Sequence, residues 1–176
     1  IEFNQTDSTF TTYGKKFEGI SSICEDESGI LWLGNWTESL FSFDKLKKAF
    51  TNYSNDSRDP ESLSHNQVTS VCCEKSGTIW IGTWGGGVNK LDKSRLLFLR
   101  YKHMEGKSES LLSNDIYCIS QGEKNDILLI SADEIEKFDP ETEKFSRLVT
   151  VEKNITQILQ DENNRFWVSA ETGLSL

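Results

Sequence analysis

The sequence predicts an all-β fold, a β-propeller built from four-stranded antiparallel blades. Two observations lead to this prediction. The segment from Ile20 to Trp36 recurs 48 positions later, from Val68 to Trp84, and both copies end on the pattern Trp-x-Gly-x-Trp. Within each copy the apolar residues alternate with a period of two, in short runs that turn residues interrupt, which is typical of strands. Four strands in a unit of about 40 to 48 residues are typical of a propeller blade.

The strands of the first unit follow from this alternation. We expect strand A over Ile20–Glu25, strand B over Ile30–Asn35, strand C over Leu40–Phe43 and strand D over Phe50–Tyr53. Trp32 and its equivalents Trp80 and Trp167 lie in the middle of strand B between apolar neighbours, so we expect them in the core. The glycine of Trp-x-Gly is expected to allow a close approach of neighbouring backbone.

Turn residues support the alignment of all four copies. Gly29 and Gly77 lie in the A–B hairpin, where a tight turn needs a residue with left-handed backbone. In the later copies this place is taken by Asn125 and Asn164, and asparagine is the next most tolerant residue for that conformation. The turn between strands C and D begins each time with an aspartate that can bond its own turn, at Asp44, Asp92 and Asp139.

The whole chain, 1–176, is therefore interpreted as one propeller segment of about four blade equivalents. Its predicted parts are strands C and D of a blade in 1–19, complete blades in 20–67, 68–115 and 116–154, and strands A and B of a blade in 155–176. The two half-blades could pair to close a four-bladed ring, or they could be the edges of an arc from a larger propeller. We favour the arc, because four blades is the lower limit of the architecture.

Composition restricts the partners. The net charge of −9 argues against nucleic acid, since a nucleic-acid-binding surface is basic. No apolar run approaches the roughly 18–20 residues that cross a bilayer, so we expect no membrane insertion of this segment.

The four cysteines are Cys24, Cys72, Cys73 and Cys118, and they form no Cys-x-x-Cys pair. We interpret all four as small buried core residues, with a disulfide as the minority alternative.

A candidate ligand site lies where strand B ends. Trp36 and Trp84 adjoin the connection from strand B to strand C, which in an up-and-down blade shares one face of the disc with the long connections from strand D to the next blade. Exposed tryptophan beside amide and hydroxyl groups, here Asn35 and Thr83, is how proteins stack against sugar rings and bond their hydroxyls. The alternative is that both tryptophans only cover the ends of the blades.

No catalytic or metal-binding motif stands out, and we expect no cofactor. The glycines at 85–87 lack the Lys-Ser/Thr and the strand-to-helix setting of a phosphate-binding loop, so a turn is expected there. The acidic clusters at 25–27 and 161–162 are interpreted as solvated hairpin tips, and His65 and His103 as exposed polar residues. A pair of carboxylates that hydrolyses glycosides is an alternative that the sequence leaves open, because acidic residues are plentiful.

Residues 68–92, with the pattern Val-Thr-Ser-Val…Ile-Trp-Ile-Gly-Thr-Trp-Gly-Gly-Gly-Val-Asn-Lys-Leu-Asp, closely resemble the two-component regulator propeller repeat, as does the linker at 55–67 that precedes them. The third repeat departs from the pattern, because Leu128-Leu-Ile-Ser131 lacks both the tryptophan and the glycine. The resemblance implies a periplasmic sensor of a hybrid two-component histidine kinase anchored in the inner membrane. In such proteins two propellers precede a small β-sandwich, a membrane helix and cytoplasmic kinase and regulator domains.

The function expected from the resemblance is an extracytoplasmic sensor module, not an enzyme, that responds to oligosaccharides derived from glycans. Its partners would be an oligosaccharide ligand and a second copy in a homodimer. A propeller that binds proteins or acts as a scaffold is the first alternative, and it should expose a broad apolar patch. A propeller lyase or glycosidase is the second alternative, and it should show converging ionisable groups in a pocket.

Overall fold

The described residues form only strands, one short 3₁₀ helix and turns, as predicted for an all-β propeller. A computed structural model describes residues 2–13, 17–151, 155–170 and 173–175. The strands are β1 (Glu2–Asn4), β2 (Thr9–Thr11), β3 (Ile20–Glu25), β4 (Ile30–Asn35), β5 (Ser39–Asp44), β6 (Ala49–Tyr53), β7 (Val68–Cys73), β8 (Ile79–Thr83), β9 (Gly87–Asp92), β10 (Leu97–Tyr101), β11 (Ile116–Gln121), β12 (Ile127–Ser131), β13 (Glu134–Asp139), β14 (Lys144–Thr150), β15 (Ile155–Gln160), β16 (Phe166–Ala170) and β17 (Gly173–Ser175). The 3₁₀ helix spans Glu123–Asn125.

These strands form separate antiparallel sheets in chain order, which are the blades. Blade 1 is β3–β6, blade 2 is β7–β10, blade 3 is β11–β14, and blade 4 contains β15–β17. The hairpin β1–β2 is a further two-stranded sheet, and it precedes blade 1 in the chain. The innermost strands of successive blades lie against one another, β3 beside β7, β7 beside β11 and β11 beside β15. The irregular third repeat thus still forms a complete four-stranded blade.

The turn chemistry predicted from the sequence is confirmed. The A–B hairpins all contain a residue with positive φ: Gly29 (78°), Gly77 (91°), Asn125 (68°) and Asn164 (61°). The leading aspartates of the C–D turns accept backbone N–H groups two or three residues ahead, for example Leu46 N at 2.9 Å from Asp44 Oδ1 and Ser94 N at 2.9 Å from Asp92 Oδ1. These local bonds explain why the same turn recurs in blades with different loop sequences.

Every innermost strand carries a β-bulge near its start, which the sequence did not reveal. The pairing register shifts after the first residue of β3, β7, β11 and β15, so that Ser21, Thr69, Tyr117 and Thr156 are the extra residues. Each of these strands is also the edge of its sheet, so alternate backbone N–H groups are free to donate to the preceding blade. Val71 N donates to Ser22 Oγ at 2.7 Å, and Ile119 N donates to Ser70 Oγ at 3.1 Å.

The core lies between the blades and not within any one of them. One cluster joins blades 1 and 2 around Trp32 and Ile81, a second joins blades 2 and 3 around Trp80, and a third joins blades 3 and 4 around Ile130. The glycine of Trp-x-Gly admits the next blade's first strand residue. A Cβ on Gly82 would lie 2.7 Å from a methyl carbon of Ile116, so no other residue fits without a shift.

The described segments form an open arc rather than a closed four-bladed ring. The hairpin β1–β2 and the sheet β15–β17 are not paired with each other in the described part of the chain. Ile23 of β3 and Leu159 of β15 are both exposed, whereas closure would cover them. The alternative of a closed ring, left open by the sequence, is therefore not what the structure shows.

The interpretation of all four cysteines as unpaired core residues is wrong. Cys24 of β3 and Cys73 of β7 form a disulfide, with their Cα atoms 5.8 Å apart, while Cys72 and Cys118 are free thiols. The repeat aligns Cys24 with Cys72, and the sequence therefore gave no sign that Cys24 pairs with Cys73. Adjacent residues of a strand point to opposite faces of its sheet, so Cys73 faces blade 1 whereas Cys72 faces blade 3.

The interpretation of the acidic turn residues as solvated tips is wrong for Asp26. This side chain is buried, and its Oδ2 accepts the indole N–H of Trp32 at 2.9 Å. Its Oδ1 accepts the backbone N–H groups of Ser28 and Ile30. Burial alone raises the pKa of Asp26, but these three hydrogen bonds outweigh it and the pKa is lowered. Glu25 and Glu27 are exposed, as predicted.

Candidate functional site

Three aromatic rings from three consecutive blades form a row on the face that carries the long loops. Trp36 follows β4, Trp84 follows β8, and Tyr117 is the bulge residue of β11. The ring centroids of Trp36 and Trp84 are 6.0 Å apart, and those of Trp84 and Tyr117 are 5.3 Å apart. We call these three residues the aromatic row. Trp36 is 40% exposed and Tyr117 is 37% exposed, so the row offers ring surface to solvent.

The same backbone contact holds both tryptophans. Trp36 N donates to Gly19 O at 2.9 Å, and Trp84 N donates to Gln67 O at 2.9 Å. Each bond ties the end of strand B to the residue just before strand A of the same blade. The two tryptophans of the row thus follow from repetition of one blade geometry, whereas Tyr117 comes from a different position of its blade. Sequence reasoning identified the tryptophans but missed Tyr117, because nothing local indicates that a bulge turns this side chain toward the row.

Asn35 is buried, and its amide groups are used inside the fold. Its Nδ2 donates to Glu18 O at 2.7 Å, and its Oδ1 accepts the backbone N–H groups of Thr37 and Glu38 at 2.7 Å each. These bonds shape the turn that presents Trp36. The structure therefore places Asn35 beneath the aromatic row, where it orients Trp36.

Thr83 has a similar position in blade 2. It is buried, its Oγ1 donates to Gly87 O at 2.9 Å, and the same atom lies 3.3 Å from Ser64 Oγ. These contacts hold the turn at 84–86 and connect it to the long loop at 54–67. Of the four residues chosen from the sequence, the two tryptophans present surface to solvent while Asn35 and Thr83 lie below it.

The long loops beside the row are ordered by internal hydrogen bonds. Arg100 donates to Ser62 O at 2.8 Å and to Asp59 O at 2.9 Å, which fixes the loop at 54–67. Phe98 N donates to Glu61 O at 2.7 Å, so the loop also covers part of the outer edge of blade 2. In the loop at 102–115 the exposed His103 has its Nδ1 2.7 Å from Leu111 O. The half-buried His65 accepts the backbone N–H of Gln67 within the loop at 54–67.

A buried residue of strand C fastens each loop to its blade. In blade 2, Asn89 Oδ1 accepts Ser64 N at 2.9 Å. In blade 3, Glu136 occupies the equivalent position, where its Oε1 accepts Leu112 N at 3.0 Å and its Oε2 accepts the hydroxyl of Ser131. Burial raises the pKa of Glu136 above its ordinary value, although these hydrogen bonds oppose the shift.

Thr69 occupies the position in blade 2 that Tyr117 occupies in blade 3. Thr69, the bulge residue of blade 2, is buried, and its hydroxyl is the buried side-chain polar atom in the described part that has no hydrogen-bond partner. In the same part of the chain no cluster of three or more potential metal ligands occurs. Aromatic surface and neutral hydroxyl or amide groups suit an uncharged polyhydroxylated ligand better than an ionic one.

The main groove in the described part of the chain lies away from the aromatic row. A groove of about 560 Å³ at the outer edge of blades 2 and 3 is lined by Tyr101, Met104 and Phe145 together with charged residues. Within it Lys144 already pairs with Glu109 at 2.9 Å. This groove belongs to no repeated feature of the blades, so it is a weaker candidate than the row. In the row the ring planes of Trp36 and Trp84 are inclined at 50° and those of Trp84 and Tyr117 at 83°, so it presents separate ring faces and edges.

Comparison with known proteins agrees with the repeats and with the fold. Residues 14–37 and 62–85 match the two-component regulator propeller family. None of the curated proteins matches the chain in sequence. The extracellular domain of the hybrid two-component system BT3049 from B. thetaiotaomicron is 24% identical with a TM-score of 0.77, over 91% of this chain and 23% of that one. The extracellular domain of the one-component system BT4673 from B. thetaiotaomicron is 22% identical with a TM-score of 0.69, over 89% and 24%.

A more distant match to the fold comes from the structure of an enzyme. Hydrazine synthase from Kuenenia stuttgartiensis is 11% identical with a TM-score of 0.66, over 90% of this chain and 44% of that one. The fold alone therefore does not decide the function. The chain spans about a quarter of the extracellular domains it matches, and no helix in its described part has the length and apolar character to cross a membrane. Two segments of this chain, 14–37 and 62–85, thus match the two-component regulator propeller family, and the chain has a β-propeller fold.

Proposed function

We propose that this chain is part of the extracytoplasmic sensor module of a hybrid two-component signalling protein. The matched repeats and the likeness to extracellular domains of such systems support this proposal. The parent protein would hold a histidine kinase on the other side of the inner membrane. A ligand would signal by preferring one arrangement of the sensor over another, since only differential binding shifts an equilibrium.

The aromatic row is the observation that carries the choice of ligand. Trp36, Trp84 and Tyr117 span three blades with centroid spacings of 5 to 6 Å, so one ligand can contact several rings. An oligosaccharide offers apolar ring faces that can stack on these aromatic rings. A glycan-derived oligosaccharide is therefore the ligand class that we propose for this face.

The disulfide supports a periplasmic location. Cys24–Cys73 joins two blades, and such bonds form and persist in oxidising compartments such as the bacterial periplasm. In a reducing cytosol this pair would be kept as thiols. A structural disulfide and an extracytoplasmic sensor thus agree with each other.

Binding to a panel of oligosaccharides, followed by tryptophan fluorescence and by product analysis, tests this function. Wild-type chain should show saturable binding without turnover. Trp36→Ala and Trp84→Ala should each weaken binding at least about tenfold, the effect of removing a central aromatic contact. Leu46→Ala is the matched control, because Leu46 lies 96% exposed on the turn between β5 and β6, at the other end of the blade from the row.

Other outcomes would select the alternatives. Release of cleaved sugar would establish a glycosidase or lyase and overturn the sensor proposal. Binding that both tryptophan variants retain at full strength would remove the aromatic row as the site. If no sugar binds and a protein partner does, the chain is an interaction scaffold. Thermal unfolding of each variant shows whether lost binding reflects lost folding.

A further inference from the structure

The face of the disc opposite the aromatic row carries the A–B and C–D turns, and a groove opens there between blades 2 and 3. Its volume is about 440 Å³, within the range of roughly 300–1,000 Å³ that small-molecule sites occupy. Blade 2 contributes Glu74, Trp80 and Lys90 to its lining. Blade 3 contributes residues of its turns, among them Asp126 and Pro140. We call this space the turn-face groove, and both of its walls are complete four-stranded blades.

Glu74 brings a buried carboxylate to this groove. It is only 7% exposed, and its Oε2 accepts the indole N–H of Trp80 at 3.1 Å. Its other oxygen, Oε1, has no hydrogen-bond or ion-pair partner among the residues that the structure describes. Two other carboxylates of the groove are already engaged, since Asp126 pairs with Lys137 at 3.1 Å and Asp139 accepts backbone N–H groups of its own turn. A buried carboxylate is costly without an opposite charge, so Glu74 favours a cation at its open side.

The neighbouring interface shows which group such a carboxylate takes. Between blades 1 and 2, Asp26 occupies the position of Glu74, and Lys93 from the C–D turn of blade 2 places its Nζ 3.6 Å from Asp26 Oδ2. In blade 3 the position of Lys93 is taken by Pro140, which has no charge. Between blades 3 and 4 the acid itself is replaced, by Gly122. The turn-face groove thus has the acid of this arrangement without its ammonium group.

Lys90 adds the opposite charge to the same groove. Trp80 and Lys90 are partners in the register of β8 and β9, so their side chains share the face of the sheet that lines the groove. Lys90 is half-buried, and its Nζ lies 5.5 Å from the centroid of the Trp80 ring. No carboxylate in the described part of the chain forms an ion pair with it. One anion and one cation, neither of them in an ion pair, therefore lie beside the same indole.

We infer that the turn-face groove binds a small zwitterion, a molecule that carries both a primary ammonium group and a carboxylate, such as a free α-amino acid. The ammonium group takes the position that Lys93 fills in the neighbouring interface and donates to Glu74 Oε1. The carboxylate accepts from Nζ of Lys90. Charge-assisted hydrogen bonds of this kind are roughly twice as strong as neutral ones. The groove is separate from the aromatic row, so this inference does not depend on what the row binds.

Calorimetric titration of the chain with a panel of free α-amino acids tests this inference. At least one amino acid should bind saturably. The tightest binder is then compared with the matching amine, which lacks its carboxylate, and with the matching carboxylic acid, which lacks its ammonium group. Each of these two compounds should bind at least about tenfold more weakly, because it leaves one charge of the groove without a partner.

Variants of the two charged residues locate the site. Glu74→Gln keeps an acceptor for the Trp80 indole but loses the negative charge, and Lys90→Gln loses the positive charge. Each should weaken amino-acid binding at least about tenfold. Glu27→Gln and Lys45→Gln are the matched controls, because they remove the same charges from turns of blade 1 and should leave binding unchanged.

Pro140→Lys is a second test, because it installs an ammonium group at the position of Lys93. This variant should lose amino-acid binding while thermal unfolding shows that it is folded, since its own side chain then neutralises Glu74. Full-strength binding by Pro140→Lys or by Glu74→Gln would place the ligand elsewhere and overturn the inference. Equal binding of the matching amine would remove Lys90 from the site, and a panel in which no amino acid binds contradicts the inference as a whole.

Discussion

At the scale of single residues, the buried indole and its acid form one unit. Three of the four blades contain an acid six positions before the strand B tryptophan, with indole-to-carboxylate distances of 2.9 to 3.1 Å: Asp26 with Trp32, Glu74 with Trp80, and Asp161 with Trp167. In blade 3 both are replaced, by Gly122 and Leu128. A buried donor or carboxylate without its partner is costly, which explains why the two change together.

Removing the acid from one such pair should destabilise the protein. Asp26→Ala leaves the indole N–H of Trp32 and two backbone N–H groups without their acceptor, so we expect the free energy of unfolding to fall by about 2–3 kcal/mol. Chemical denaturation measures this loss. Glu27→Ala in the same turn is the control, because its ion pair with Lys93 is at the surface, and such pairs contribute about 0–1 kcal/mol. Equal losses in the two variants would contradict the proposed role of Asp26.

At the scale of elements, one buried polar residue of strand C holds the long loop in each of blades 2 and 3. Asn89 and Glu136 occupy the same position of strand C and both accept a backbone N–H from the loop above. An amide performs this task in blade 2 and a carboxyl group in blade 3. Blade 1 has Phe41 there, which packs on Phe17 with ring centroids 4.7 Å apart. The residue at this position of strand C therefore differs from blade to blade, and so does the kind of contact that it makes with the preceding loop.

This comparison predicts a pH effect for Glu136. Its folded-state pKa lies above the unfolded value, so the stability that it contributes is present at low pH and is lost as pH rises through the folded-state pKa. Glu136→Gln keeps the acceptor for Leu112 N but does not ionise. The variant should therefore gain stability relative to wild type as pH rises from about 4 to 8. Denaturation at several pH values measures the difference, which a constant gap would contradict; Asn89→Gln should show no such trend.

The disulfide site should be transferable to the next pair of blades. Cys72 lies at the position equivalent to Cys24, and Gln121 lies at the position equivalent to Cys73. Burial raises the pKa of the Cys72 thiol to about 11, so the free thiol is unreactive in the native protein. Oxidative refolding of Gln121→Cys should join residues 72 and 121, leaving Cys118 as the free thiol. Peptide mapping checks this pairing, and Ser120→Cys, which points to the other face, should not form it.

At the scale of the whole molecule, the disulfide constrains the angle between two blades that otherwise hold together by apolar packing. It closes a loop with a sequence separation of 49 residues. Loop-closure entropy predicts that Cys24→Ser with Cys73→Ser lowers the free energy of unfolding by about 2–4 kcal/mol. Denaturation under oxidising conditions measures the loss, and the addition of reductant to wild type should reproduce it. A Cys118→Ser variant, which breaks no bridge, is the control for altered core packing.

The sequence alone was sufficient to predict the strands and turns of the blades. Alternation of apolar residues and the glycines, asparagines and aspartates of the turns are local signals, and strands such as Ile20–Glu25 formed where they predicted. Of the candidate site it predicted Trp36 and Trp84, because they recur at one place in the repeat. The same repetition misled the interpretation of the cysteines, since it aligned Cys24 with Cys72 and not with its partner.

Only the tertiary structure decided which faces of neighbouring blades meet. That arrangement pairs Cys24 with Cys73 and brings Tyr117 beside Trp84. The physical reason is that propeller blades are held together by contacts between residues about one repeat apart, on opposite faces of two sheets. Local patterning determines each strand and turn, but it carries no information about a partner that lies 49 residues away.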